Sequence, residues 1–267
     1  MKKLSVLAIA FVAIAFAACG GQKNAQNEEA ADTLKSFEQE QIEGSIKMHL
    51  DSIAAEISTL KQLPFLQEGK DGLQLTKAEK QVKPDYLLSP SVADEATTLA
   101  EKYRVLSALN VDRQIAVLYE MPVEEYDKAI SKLAADIDDP SFKVLETPNT
   151  LYETPAALYD AMNENGRINY YWQLAAAGLI EQFYIASQNI DKFMSVFNDE
   201  AADKVTYRII LILDAADQLT KYDPDFAPVA EALNSLKALN AVTVNEMKAQ
   251  LEEAKDDIIA ARKALVK

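Results

Sequence analysis

Three residue types that carry most metal and nucleophile chemistry or mark exposed binding faces are nearly missing. The 267 residues hold one histidine, one cysteine and one tryptophan. His49, with no second histidine beside it, cannot build a zinc site. A serine triad would have to use His49, and no G-x-S-x-G turn accompanies it. P-loop and dinucleotide glycine patterns are missing. So is an EF-hand loop, because the nearest acidic run, DIDDPSF, lacks its glycine and closing glutamate. The expected metals and cofactors are therefore none. His49 itself falls on an apolar stripe and reads as a satisfied core residue.

Glycine and basic residues are also scarce. Of seven glycines, only Gly44 and Gly178 interrupt helical pattern, and the nine prolines separate long proline-free stretches, as helix boundaries do. Lysine and arginine number 27 against 42 acidic residues, a net charge of −15. Such a surface repels nucleic acid and anionic headgroups, so no nucleic-acid partner is expected. With so many carboxylates, acidic pairs arise by abundance. A glycosidase-like pair therefore carries no signal by itself.

The chain begins Met1-Lys2-Lys3, and an apolar run follows from Leu4 to Ala18. Its 15 residues would reach about 22 Å as a helix, short of a hydrocarbon core of roughly 30 Å. A basic start, an apolar middle and small residues at the end make a secretory signal over 1–18. The segment Phe16-Ala17-Ala18-Cys19 resembles the lipobox of bacterial lipoproteins, although Phe16 stands where that family usually has leucine. The resemblance covers only about the first 20 residues. It implies cleavage before Cys19, a diacylglyceryl group on its sulfur and an acylated amine, with fatty chains such as palmitate. Gly20 after the cysteine, where an aspartate would signal retention, implies the outer membrane. Residues 19–27 (CGGQKNAQN) then read as a flexible tether. A chain starting at Cys19 has 25 basic and 42 acidic residues, a net charge of −17. The alternative is an ordinary signal that leaves a free thiol.

Residues 28–267 read as one all-α domain, a bundle of about eight helices. Ile42, Ile46, His49, Leu50, Ile53, Ile57 and Leu60 recur at spacings of three and four, which predicts one helix over 28–63 ended by Pro64. Residues 64–90 read as the longest loop, of a length often functional. Ser91-Val92-Ala93-Asp94 resembles a capping box for a helix running towards Met121. Pro122 opens a helix with Tyr126, Ile130, Leu133 and Ile137 on one face, and Thr154-Pro155 opens another to about Asn163. The stripe from Ile168 through Trp172, Leu179 and Phe183 to Phe197 predicts a helix over 167–197. Helices over 200–222 and from Pro224 to about Leu239 follow. Thr243-Val244-Asn245-Glu246 is a full capping box for the last helix, with Val244, Met247, Leu251, Ala254, Ile258, Ala261 and Leu265 inward.

Two units, about 92–142 and 167–226, echo each other. Asn110-Val111-Asp112-Arg113 parallels Asn189-Ile190-Asp191-Lys192, and Asp139-Pro140-Ser141-Phe142 parallels Asp223-Pro224-Asp225-Phe226. The expectation is a duplicated pair of helical units. The other reading is chance similarity between amphipathic helices.

Tyr152, Tyr159, Tyr170 and Tyr171 cluster near Trp172 and are the candidate ligand-binding residues. Tyrosines beside a groove stack on sugars or hold a peptide. Alternatively they pack beneath the preceding helix. Ala175-Ala176-Ala177-Gly178 beside them removes side-chain bulk and permits a close helix approach. Three functions remain open. The first is a non-catalytic adaptor or scaffold on the membrane, with an envelope protein as partner. The second is an envelope binding protein for glycan or peptide, and the third a carboxylate-dependent hydrolase.

Overall fold

The structure, a computed structural model, describes residues 44–59, 62–67, 72–221 and 223–266, nearly all of them in the unit Ile46–Lys267. The signal, Cys19 and the tether lie outside the described residues, as does the start of the helix expected over 28–63. The fold is all-α. Helix α1 covers 46–58 within this unit. It is followed by α2 (Lys77–Gln81), α3 (Leu99–Leu118), α4 (Glu124–Ile137) and α5 (Pro155–Glu164). Then come α6 (Ile168–Gln188), α7 (Ile190–Phe193), α8 (Asp199–Leu219), α9 (Ala227–Leu233) and α10 (Val244–Leu265). The described residues contain no strand.

Helix α6 lies at the centre. It packs on α3 along one flank and α10 along another, and also touches α5, α8 and α9. A helix enclosed in this way must be apolar nearly all round. Leu174, Ala176, Ala177, Leu179, Ile180, Phe183 and Ile185 are indeed all buried. Helix α4 leans on α3 and is one-sided, burying the expected Tyr126, Ile130, Leu133 and Ile137. The stripe on α10 buries six of its seven expected residues, Met247 to Leu265, and leaves Val244 half-buried.

The helix starts follow side-chain chemistry. Thr243 Oγ1 accepts from Glu246 N at 3.3 Å, and Glu246 reaches back to Thr243 N at 3.1 Å, completing the predicted capping box. Helix α3, however, starts at Leu99 behind a Thr98–Glu101 box, not at Ser91. Residues Pro90–Asp94 form a separate 3₁₀ turn, because Thr98 and Glu101 offer the reciprocal pair that Ser91 and Asp94 do not. The 64–90 loop contains a 3₁₀ turn, Pro64–Leu66, and α2 with its own Thr76–Glu79 box.

The helix predicted over 167–197 is three elements. Asn189 leaves helical geometry (φ −153°, ψ 79°) and caps α7 by accepting from Lys192 N at 3.2 Å. A 3₁₀ turn, Met194–Val196, comes next, yet Phe193 and Phe197 remain buried, so the stripe continues through a break. The 224–239 helix divides likewise into the 3₁₀ turn Pro224–Phe226, α9 and the 3₁₀ turn Asn234–Leu236. His49 is exposed, contrary to expectation, and its Nε2 lies 2.9 Å from Asp214 Oδ2.

The echoed segments behave differently from each other. Asp139 and Asp223 each accept from the backbone N–H two residues on, at 2.8 and 3.0 Å, in matching Asp-Pro 3₁₀ turns. Each turn precedes a short helix (α5, α9) and then a long one (α6, α10). But residues 110–113 lie inside continuous α3, whereas 189–192 straddle the α6–α7 break. The Asp-Pro turns match, but α7 and a 3₁₀ turn intervene in the second segment alone, and the Asn-x-Asp-x motif has no common structure.

Candidate functional site

A cavity of about 260 Å³ opens between the end of α1, the 151–158 segment, α6 and α8. Ile57, Leu151, Leu158, Leu174, Leu179 and Ile212 make its apolar walls. Arg208, Glu153, Gln182, Gln62, Ser58, Thr59, Tyr152 and Tyr171 supply its polar groups. The residues meet here for local reasons. Arg208 follows Val205 by three and precedes Ile212 by four, so it lies on the inward stripe of α8. Gln182 occupies the same kind of position on central α6 and is 4% exposed.

The site sets one cation, Arg208, and one carboxylate, Glu153, among apolar walls. Burial lowers the Arg208 guanidinium to about 10, so it stays charged at neutral pH, with the phenols of Tyr171 and Tyr152 acting in the opposite sense. Burial pushes the Tyr171 phenol up to about 12 and raises Tyr152 as well. Gln182 Oε1 and Gln62 Oε1 are buried and accept no hydrogen bond.

Tyr152 is fixed by the run of small residues. Ser107 Oγ donates to Leu174 O at 2.6 Å and lies 2.6 Å from Tyr152 Oη, which also donates towards Ser107 O at 3.1 Å. This places the phenol between α3 and α6 directly over Gly178. A Cβ at 178 would lie 2.0 Å from Tyr152 Oη and 2.8 Å from Ser107 Oγ. Tyr152, Gln62 and Glu153 also line a second, wider groove of about 1030 Å³. That groove carries Lys80, Arg113, Glu120 and Asn149, and it adjoins the inner cavity through the three shared residues.

The four candidate tyrosines divide. Tyr152 and Tyr171 line the cavity. Tyr159 lies behind them, edge-on to Tyr171 with centroids 4.9 Å apart, and donates to Asp51 Oδ1 at 2.7 Å. Tyr170 is directed elsewhere. It stacks on Tyr103 at 4.7 Å and lies under Arg167. Adjacent helical positions differ by about 100°, which separates Tyr170 from Tyr171. Trp172 packs edge-to-face with Tyr171.

A second polar cluster joins α3, α6 and α10. Asp112 and Glu181 are both fully buried, and Arg262 forms a fork on Glu181 (Nε–Oε2 3.0 Å, Nη2–Oε1 3.2 Å). Asp112 Oδ2 accepts from Leu88 N at 2.7 Å and lies 3.9 Å from Arg262, while Oδ1 accepts no hydrogen bond. One guanidinium faces two carboxylates. Burial and the neighbouring Glu181 charge push the Asp112 carboxyl well above the usual range. Neither carboxylate lines the inner cavity or the outer groove. Among the described residues, no group of three or more His, Cys, Asp or Glu could hold a metal ion.

Sequence reasoning passed over Arg208 and Glu181 as site residues and met Asp112 only within the Asn110–Arg113 echo. Their signal was available: each is a charged residue at three-four spacing within an apolar stripe. Compared with known protein families, curated proteins and solved structures, the chain matches none.

Proposed function

We propose that this is a lipid-anchored cell-envelope protein, favouring the outer membrane, that binds a small or extended ligand and carries out no reaction on it. The anchor rests on the signal and lipobox-like segment ending at Cys19. No helix among the described residues is long and apolar enough to cross a membrane. One observation carries the binding reading. The cavity combines apolar walls with a buried guanidinium and an unpartnered amide oxygen, the composition of a site that fixes a ligand's orientation through a few polar groups. A hydrolase built on Asp112 and Glu181 would need that pair open to substrate, and both are enclosed.

The test fills the cavity. Ala175 lines it, and Ala175→Phe directs a ring inward. The neutral dye N-phenylnaphthylamine should bind the wild type with enhanced fluorescence. It should lose that binding in Ala175→Phe while the far-ultraviolet helix signal is kept. Equal dye binding by a folded Ala175→Phe protein would overturn the reading.

A further inference from the structure

We infer that the segment from Thr76 to Ser89 is a strap whose closed position depends on a proton held at the buried Asp112, so that rising pH loosens it. The inference holds whether or not the inner cavity takes a ligand. The strap comprises α2 and the stretch after it, and within it only Leu88 is buried. Its attachments to the helices are mainly polar. Lys80 Nζ donates to Glu120 Oε1 at 2.6 Å, and Lys83 Nζ donates to Tyr119 O at 2.6 Å. Tyr184 Oη donates to Tyr86 O at 3.3 Å, and Tyr126 Oη donates to Leu88 O at 2.8 Å. A segment with so little apolar burial opens at a lower free energy than the core helices do.

The strap also closes one side of the acid cluster between α3, α6 and α10. Leu88 N donates to Asp112 Oδ2 at 2.7 Å, and Asp112 is fully buried. On its other sides Asp112 faces Glu181 of α6 and Arg262 of α10. The phenols of Tyr86, Tyr126, Tyr152 and Tyr184 are the further titratable groups that feel its charge. Arg262 is already forked on Glu181, so an ionised Asp112 adds a second enclosed negative charge to one cation. Such a charge calls for water. Helix α6 lies at the centre of the core and α10 packs on it, so the Leu88 side is the one that yields.

Asp112 Oδ1 accepts no hydrogen bond, which leaves it free to carry the proton. With the strap lifted, water reaches the carboxyl and returns it towards its ordinary value of about 3.9. Opening therefore releases a proton. Between that value and the raised folded one, each unit of pH favours the open form by up to about tenfold. Lys80 and Glu120 both line the outer groove, so opening also undoes part of its wall.

The experiment follows amide hydrogen exchange in the full-length chain, in peptides covering 82–90, α6 and α10, from about pH 4 upwards. Labelling times are scaled to cancel the intrinsic pH dependence of exchange. Protection of 82–90 should be lower than that of α6 and α10 at every pH. It should fall by up to about tenfold per pH unit and then level off. Asp112→Asn keeps an acceptor for Leu88 N and carries no charge, so it should remove the fall. Tyr126→Phe takes away one strap contact and leaves Asp112 in place. It should lower protection of 82–90 about fivefold at every pH and keep the wild-type slope. Circular dichroism confirms that each variant is folded. If Asp112→Asn does not fold, the wild type and Tyr126→Phe decide. Flat protection of 82–90 in the wild type overturns the inference, and so does an unchanged slope in folded Asp112→Asn. Unchanged protection in Tyr126→Phe also overturns it. So does protection of 82–90 equal to that of α6, since the molecule would then open as one unit.

Discussion

Gly178 holds its place because of Tyr152. With no Cβ, α6 leaves room for a phenol that hydrogen-bonds to Ser107 on α3, 2.6 Å away. An alanine would have to displace that phenol, since the new carbon would lie 2.0 Å from it. Overpacking of this kind costs about 1–3 kcal/mol. Gly178→Ala should lower the melting temperature and also weaken dye binding, because Tyr152 walls the cavity. Tyr152→Phe beside Gly178→Ala should recover part of the stability, as the clashing oxygen is gone. A stable Gly178→Ala protein with unchanged dye binding would show that the contact is dispensable. At this scale the sequence displayed the ingredients without the arrangement. The tyrosine cluster and the Ala-Ala-Ala-Gly run were visible as strings, but the separation of Tyr170 from Tyr171 depends on which neighbours enclose α6. Arg208 was hidden for a different reason. Surface charge is so abundant here that one inward arginine shows only when set against Val205 and Ile212.

Between elements, the Asp112–Glu181–Arg262 cluster ties three helices together and sets a pH dependence. A carboxyl whose folded pKa is raised binds its proton more tightly when folded. Its contribution to stability is complete below the unfolded value, about 3.9, and is lost as pH rises through the folded value. Stability should therefore fall as pH rises above about 4 towards the raised folded value. Asp112→Asn, whose amide mimics the protonated acid, should reduce that fall, as read by melting temperature across the range. The facing charges are Glu181 and Arg262, with the phenols of Tyr126 and Tyr184 nearby, so Glu181 must stay intact for the comparison. An identical slope in Asp112→Asn would exclude Asp112 as the source. Helix existence was readable from the 3.6-residue stripes of α4 and α10, whose outer faces meet water. Boundaries were less readable. The stripe from Ile168 to Phe197 runs through a break at Asn189, since the residues beyond it remain buried after the backbone has turned.

Over the whole molecule, two expectations concern different levels. The two Asp-Pro segments share a capped 3₁₀ turn before a short helix, while the elements leading to them differ and the Asn-x-Asp-x parallel has no common structure. The lipid anchor belongs to residues outside the described set and is tested by mass. Protein extracted from membranes should start at Cys19 and carry added acyl mass, and Cys19→Ala should lose both the mass and the membrane fraction. An unmodified chain starting elsewhere would make this a diffusing exported protein. The phenol over Gly178 also constrains how the molecule can change over generations. Residues 152 and 178 lie in different elements and occupy one volume between them, so neither can drift alone. When sequences descended from the same ancestor are collected, a lineage that replaces Tyr152 with a smaller residue is released to carry a side chain at 178. A lineage that keeps the tyrosine should keep the glycine. The pair would then serve as an inherited marker of whether the cavity has been retained.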